Sequence, residues 1–220
     1  MMTPKNYILL GPPGSGKSTQ AELLREVLNL RHIDIGSELR AVAEEDTPFG
    51  RALNDIIHRQ HMLASDDIMK TVFEQAIRRV PETQGILLDG APRRSSQIDE
   101  VLQVFQSVNR SVSKVIFIDL PEAESISRIS KRYLCFGCRR PYILGKDLLT
   151  ADVACSVCGG KIGQRKDDTT EGVRKRFQIF QSETLPVIEY FEKEGLLLRI
   201  DGKREAPAIF QDIREKINMA

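Results

Sequence analysis

Three things are scarce in this 220-residue chain, and each scarcity removes a class of function. Long apolar runs are missing: the stretch from Tyr7 to Leu10 is too short for a membrane span or a signal-peptide core, and glycines follow it at once. A cytoplasmic protein with no membrane partner is therefore expected. Charge of one sign is also missing, with 32 Lys and Arg against 31 Asp and Glu and a formal net charge of +1. No overall field would gather nucleic acid or anionic lipid, so any anion must be held by a local cluster. Cysteine occurs only four times. Two disulfides could use all of it in a secreted protein, but without a signal peptide a reduced metal site is the better expectation. There is no internal repeat and no low-complexity linker. With 41% hydrophobic residues, what remains is one domain with an ordinary core, carrying small inserts.

Four short apolar runs, Tyr7 to Leu10, Gly85 to Asp89, Lys114 to Leu120 and Leu196 to Ile200, do not alternate in polarity. Such runs suit strands buried on both faces of a parallel sheet. Between them, residues 18–30 carry Leu23, Leu24, Val27 and Leu28 at helical spacing, and residues 122–133 carry Ile126, Ile129 and Tyr133. Val173, Phe177 and Phe180 mark a later amphipathic helix that is expected to stop before Pro186. Strand alternating with helix predicts an α/β fold. Two segments break the alternation: residues 36–65 are polar and helical with no strand, and residues 132–168 are rich in Cys, Gly and basic side chains. Both read as inserts on one core.

Directly after the first run comes Gly11-Pro12-Pro13-Gly14-Ser15-Gly16-Lys17-Ser18, which satisfies G-x-x-x-x-G-K-[ST] between a strand and a helix. The glycines let backbone N–H groups face phosphate oxygens, and the following helix adds positive potential at its start. Lys17 would bridge the β- and γ-phosphates, and the Ser18 hydroxyl would approach Mg²⁺. Asp89 ends a buried strand, where a carboxylate can hold Mg²⁺ through water or serve only as a turn residue. Transfer between two nucleotides must neutralise several phosphate charges, so recurring arginines are expected. Arg40, Arg93, Arg128, Arg132, Arg165 and Arg176 are the candidates, with Arg128 and Arg132 one turn apart on the helix expected over residues 122–133.

Cys135-x-x-Cys138 and Cys155-x-x-Cys158, separated by sixteen residues, have the spacing of four thiolates around tetrahedral zinc. Four thiolates close the coordination sphere, so the ion would fold its insert and do no chemistry. Iron and cobalt remain open as occupants. Arg139 and Arg140 beside Cys138 form no basic stripe, so a nucleic-acid partner is not expected.

These motifs together resemble the adenylate kinase family across nearly the whole chain. Lys17-Ser18-Thr19-Gln20 is similar to its G-K-[GS]-T-Q. The segment from His32 to Arg40 resembles H-I-S-T-G-D-x-x-R, and Asp89-Gly90-Ala91-Pro92-Arg93 with Gln97 resembles D-G-F-P-R-x-x-x-Q. The paired cysteines fall where zinc-bearing members carry theirs. The resemblance implies a P-loop nucleotide kinase with a five-stranded parallel sheet flanked by helices, a monophosphate-binding insert at 35–64 and a zinc-binding lid at 131–168. It implies ATP with Mg²⁺ at Gly14, Ser15, Gly16, Lys17, Ser18 and Thr19, with Arg128 and Arg132 on the phosphates. Pro141, Tyr142 and Arg204 would stand near the ATP base and ribose. Ile35, Arg40, Met62, Leu63, Ala64, Gly90, Ala91, Pro92, Arg93, Gln97, Arg165 and Arg176 would hold the monophosphate, and Lys17, Asp89, Arg93, Arg128, Arg132, Arg165 and Arg176 form the catalytic set. The implied reaction is ATP + AMP giving two ADP in a monomer whose partners are nucleotides.

The departures from the family pattern lie in the monophosphate pocket. Ile35 stands for a threonine, Ser37 for an acid, Ala91 for a phenylalanine, and His61-Met62-Leu63-Ala64-Ser65-Asp66 for G-x-L-V-P-D. They leave CMP or UMP open as acceptors beside AMP, and leave open a nucleotide-binding regulatory protein that has lost catalysis.

Overall fold

The computed structural model describes residues 4–55, 65–138, 140–150, 153–164 and 168–219. Among them a five-stranded parallel sheet forms the centre, built from β1 (Asn6–Leu10), β2 (Leu30–Asp34), β3 (Gly85–Asp89), β4 (Lys114–Asp119) and β8 (Leu197–Asp201) in the order β2-β3-β1-β4-β8. Three of the unalternating runs behave as expected, since every residue of β1 and β3 and the middle of β4 are buried, whereas the run of β8, an edge strand, is only partly covered and exposes Arg199. Composition alone left β2 unseen. Its burial is broken by the exposed Arg31 and partly open His32, as befits an edge strand.

Helices cover both faces. On one, α4 (Asp66–Arg78), α5 (Ser96–Ser107) and α8 (Leu185–Lys193) bury Phe73, Phe105 and Phe191 against Ile8, Leu88 and Phe117. On the other, α1 (Lys17–Leu28) and α9 (Ala206–Met219) bury Leu24, Ile209 and Ile213 against Leu9, Leu87 and Ile116. The chain leaves β1 toward β2 on one side and returns through β3 to β4 on the other, so the strand order reverses at β1. Ligands of open parallel sheets bind beyond the strands' carboxyl ends at such a switch. Asp34, Asp89, Asp119 and Asp201 all stand at those ends.

The two irregular segments differ in kind. After β2, α2 (Ile35–Ala43) and α3 (Pro48–Asn54) form a helical pair, started by Asp34 and Thr47 as side-chain caps on Gly36 N and Gly50 N. After α6 (Glu122–Ser130), a separate antiparallel sheet is made by β5 (Arg132–Cys135), β6 (Pro141–Ile143) and β7 (Ile162–Gly163) in the order β6-β5-β7. The helix expected to reach Tyr133 therefore stops at Ser130, and Arg132 lies on a strand instead of one helical turn from Arg128. The helix α7 (Thr170–Ile179) does end before Pro186, but the path stays helical. A π-helical turn, Phe180–Thr184, closed by Leu185 N donating to Phe180 O, delivers Pro186 into the first turn of α8, where its missing N–H costs nothing.

Candidate phosphoryl-transfer site

The loop between β1 and α1 lies at the switch point, beyond the carboxyl end of β1. Gly14 and Gly16 have φ of 74° and 91°, left-handed values that a side chain would resist, and Gly16 stands at the N-cap of α1. No acid occupies the first turn of α1, so its positive end is left for an anion. Helix α6 supports the loop from behind: Ser125 Oγ donates to Pro13 O at 2.6 Å, and Ile129 lies under Gly14. Ser15 is fully buried, while Ser18 and Thr19 are exposed.

Lys17 Nζ donates to Gly11 O at 2.6 Å and Pro12 O at 3.0 Å, which fixes the ammonium on the floor of the loop. Burial pushes its pKa down to about 8; Asp89 and Asp34 oppose the shift, while Arg93 and Arg132 reinforce it. Charges from β2, β3, the loop after β3 and the small sheet thus converge on one ammonium.

Asp89 is buried at the end of β3, with His32 Nε2 3.4 Å from its Oδ2. Gly90, Ala91 and Pro92 lead from it to Arg93, whose Nε donates back to Gly90 O at 2.9 Å and whose guanidinium stays exposed. Ala91 is wholly buried, as is Ile35 at the start of α2. Gln97 locks this turn: its Oε1 accepts from Arg93 N at 2.7 Å, and its Nε2 donates to Asp66 Oδ1 at 2.7 Å. Asp66 also accepts from Ser96 Oγ and Arg94 Nη1. Burial pushes its carboxyl up, but these hydrogen bonds and the Arg94 charge outweigh it and hold the group below the usual range. Arg40 donates through Nη2 to Ser37 Oγ at 2.9 Å, and Ser37 Oγ donates to Asp34 Oδ2 at 2.5 Å. The acid lost at position 37 is therefore met by Asp34, through a hydroxyl.

Asp168 gathers two of the expected arginines. Its carboxylate, 1% exposed, accepts from Arg132 Nε and Nη2 at 3.1 and 2.7 Å and from Arg176 Nη2 at 2.9 Å. Arg128 Nη2 donates to Lys203 O at 3.1 Å.

Two residues implied for the ATP base have protein partners of their own. Tyr142 is 6% exposed and points into the small sheet's interior, because its ring completes the little core formed by Cys135, Leu148, Cys155 and Ile162. Arg204 is drawn to Asp212 of α9 at 2.5 Å, beside an open cleft of about 570 Å³ that Arg199 and Lys216 also line. Pro141 is exposed on β6. Met62, Leu63, Ala64, Arg139 and Arg165 lie outside the described residues. Sequence reasoning passed over Asp34, Asp66, Asp168 and Thr184 as working parts, although Thr184 Oγ1 donates to Arg93 O at 3.0 Å. Each of the acids sits beside an element boundary, a signal that could have marked it.

The four cysteine sulfurs lie within 4.8 Å of one another. Cys135 and Cys158 Sγ are 3.4 Å apart, and Cys138 and Cys155 Sγ 3.6 Å. A disulfide needs about 2.05 Å, whereas zinc about 2.3 Å from each sulfur sets neighbours about 3.8 Å apart, so the donor set fits a closed tetrahedral ion. The Tyr142 hydroxyl, 3.1 Å away, pulls the Cys155 thiol down to about 6, and the Cys138 backbone N–H lowers the Cys135 thiol.

Comparison with known proteins agrees with this geometry. Residues 9–196 match the family model described as adenylate kinase. The adenylate kinase of Thermosipho africanus is 33% identical over 94% of this chain and 97% of its own, and that of Syntrophomonas wolfei is 34% identical over 96% and 98%. The adenylate kinase of Dehalococcoides mccartyi is 35% identical over 94% and 95%. With phosphate loop, arginines and cysteine quartet on one fold, and relatives matched almost end to end, the chain belongs to the adenylate kinase family.

Proposed function

We propose that this protein transfers a phosphoryl group from ATP to AMP, reversibly giving two ADP. The observation that carries the reading is the position of Lys17, held on the floor of the loop by two carbonyls and within the fields of Asp89, Arg93 and Arg132. A group so placed meets the charge that develops on a transferring phosphoryl. No protein nucleophile is needed, because an oxygen of the acceptor phosphate attacks in line.

In this reading the loop N–H groups from Gly14 to Thr19 hold the donor phosphates, and Arg128 and Arg132 steady the moving group. Arg40, Arg93, Arg176 and Arg165 hold the acceptor phosphate, with Ile35, Gly90 to Pro92, Gln97 and Met62 to Ala64 around its base. The Ser18 hydroxyl and Asp89 carboxylate are the hard oxygen donors that would hold magnesium, which would supply positive charge to the phosphate chain. The cysteine quartet would hold zinc, which would knit the small sheet and so fix Arg132 at the start of β5, three residues before Cys135. Residues 35–64 and 131–168 would act as the two segments that close over the substrates and exclude water.

A coupled assay with ATP, magnesium and, in parallel, AMP, CMP, UMP and GMP tests the acceptor. ADP formation at least tenfold faster with AMP than with the other three is expected. Preference for CMP or UMP would show that Ile35 and Ala91 have changed base selection, and silence with all four would mark a binding protein.

A further inference from the structure

We propose that the Tyr142 hydroxyl donates a hydrogen bond to the Cys155 sulfur of the metal-bound quartet, fixing that ligand and slowing loss of the ion. The inference rests on the zinc reading above and gives the Tyr142 hydroxyl a partner at the metal site.

Tyr142 lies on β6 opposite Tyr133 of β5, with its oxygen 3.1 Å from Cys155 Sγ and 3.3 Å from Ser156 Oγ. Counting protons settles the direction. A thiolate bound to metal has no proton to give, so the contact with Cys155 can be made only by the tyrosine O–H. That hydrogen is then used, and Ser156 must donate its own to the tyrosine oxygen. The chain of donors runs from Ser156 through Tyr142 to Cys155. It ends on a buried cysteine: Cys135 and Cys155 are closed from solvent, while Cys138 and Cys158 are exposed and can take hydrogen bonds from water. A desolvated thiolate gains most from a protein donor. The loop around the ligand is already set, since Cys155 N donates to Gly160 O at 2.9 Å and Gly159 N to Cys155 O at 2.8 Å. Tyr142 adds the side-chain anchor, and through the β5–β6 pairing it ties the ion to the strand that carries Arg132.

The test uses the full-length protein and Tyr142→Phe, which keeps the ring and removes only the hydroxyl. Zinc-loaded protein is challenged with a chromogenic chelator, and the cobalt-substituted form is followed by its sulfur-to-cobalt charge-transfer band. Zinc release about tenfold or more faster is expected in Tyr142→Phe. The cobalt band should move to lower energy, because an unbonded thiolate is the stronger electron donor. Ser156→Ala, which leaves the tyrosine proton on Cys155, should keep a band close to that of the unmodified protein. Equal release rates and superimposable bands in Tyr142→Phe would overturn the proposal while leaving the zinc site standing. A shift in Ser156→Ala as large as that in Tyr142→Phe would overturn the assigned direction. Unmodified protein that takes up neither zinc nor cobalt would overturn the zinc reading, and this inference with it.

Discussion

The central parallel sheet and the small sheet of β5, β6 and β7 both bring charged side chains within reach of Lys17, yet they are held together by different means. The first is packed on both faces by helices, with Phe73, Phe105, Phe117 and Phe191 among its fully buried side chains. The second has a buried cluster of Cys135, Tyr142, Leu148, Cys155 and Ile162 and exposes Phe136, Ile143, Leu149, Val153 and Val157. A core of that size cannot offset the entropy of ordering its chain, which is the circumstance in which small units use a metal. Lys17 is therefore fixed by backbone carbonyls, and Arg132 by a carboxylate and, in the proposed reading, by a strand that zinc would knit.

The largest expected effect separates the two regions completely. Stripping the metal with a strong chelator should unfold the small sheet while the parallel sheet persists, seen as rapid proteolysis within residues 132–164 and a surviving main melting transition. A single transition that shifts as a whole would mean the regions are one cooperative unit. Phe73→Ala reverses the contrast: it should cost about 3–5 kcal/mol in urea unfolding yet leave zinc bound to the folded protein. A loss below about 1 kcal/mol would contradict the packing described for α4 against the central sheet.

Lys17→Met should lower turnover by about 10²–10³-fold while moving the melting temperature little, since the ammonium's bonds to Gly11 O and Pro12 O are offset by the cost of desolvating it and its charge acts chiefly on the reacting phosphates. Turnover within about threefold of the unmodified protein would move the chemistry away from the loop. The smallest effect is a proton. With its pKa depressed to about 8, Lys17 loses its charge as pH rises through that value, whereas bound polyphosphate favours the charged form. Binding ATP near pH 8 should therefore take up protons, and affinity should fall up to about tenfold between pH 7 and 9. Proton uptake is read from the dependence of calorimetric heat on buffer; no uptake and flat affinity would mean Lys17 is not desolvated.

The legible parts of the sequence are those where one local pattern has one physical meaning. The loop from Gly11 to Ser18 and the runs of β1, β3 and β4 were readable because spacing and unbroken hydrophobicity need no tertiary information. The cysteine spacing was equally direct. Strand β2 escaped the composition reading because an edge strand opens one side to water, and Arg31 and His32 broke its apolar run. Arg132 was put on the helix of Arg128 because residues 126, 129 and 133 keep a helical period, although the chain turns at Lys131 to enter the small sheet. Tyr142 shows the deeper limit: a side chain's partner across a pleated sheet depends on pairing with β5, and no local pattern encodes it. The roles of Asp34, Asp66 and Asp168 were hidden likewise, since a carboxylate's partners come from distant elements.

The most direct measurement starts from one substrate. Purified protein is given ADP with magnesium and nothing else, and the nucleotides are separated over time. The account predicts ATP and AMP appearing in equal amounts until the three species reach equilibrium; ADP that stays unchanged under conditions where the protein binds it would contradict phosphoryl transfer between adenine nucleotides.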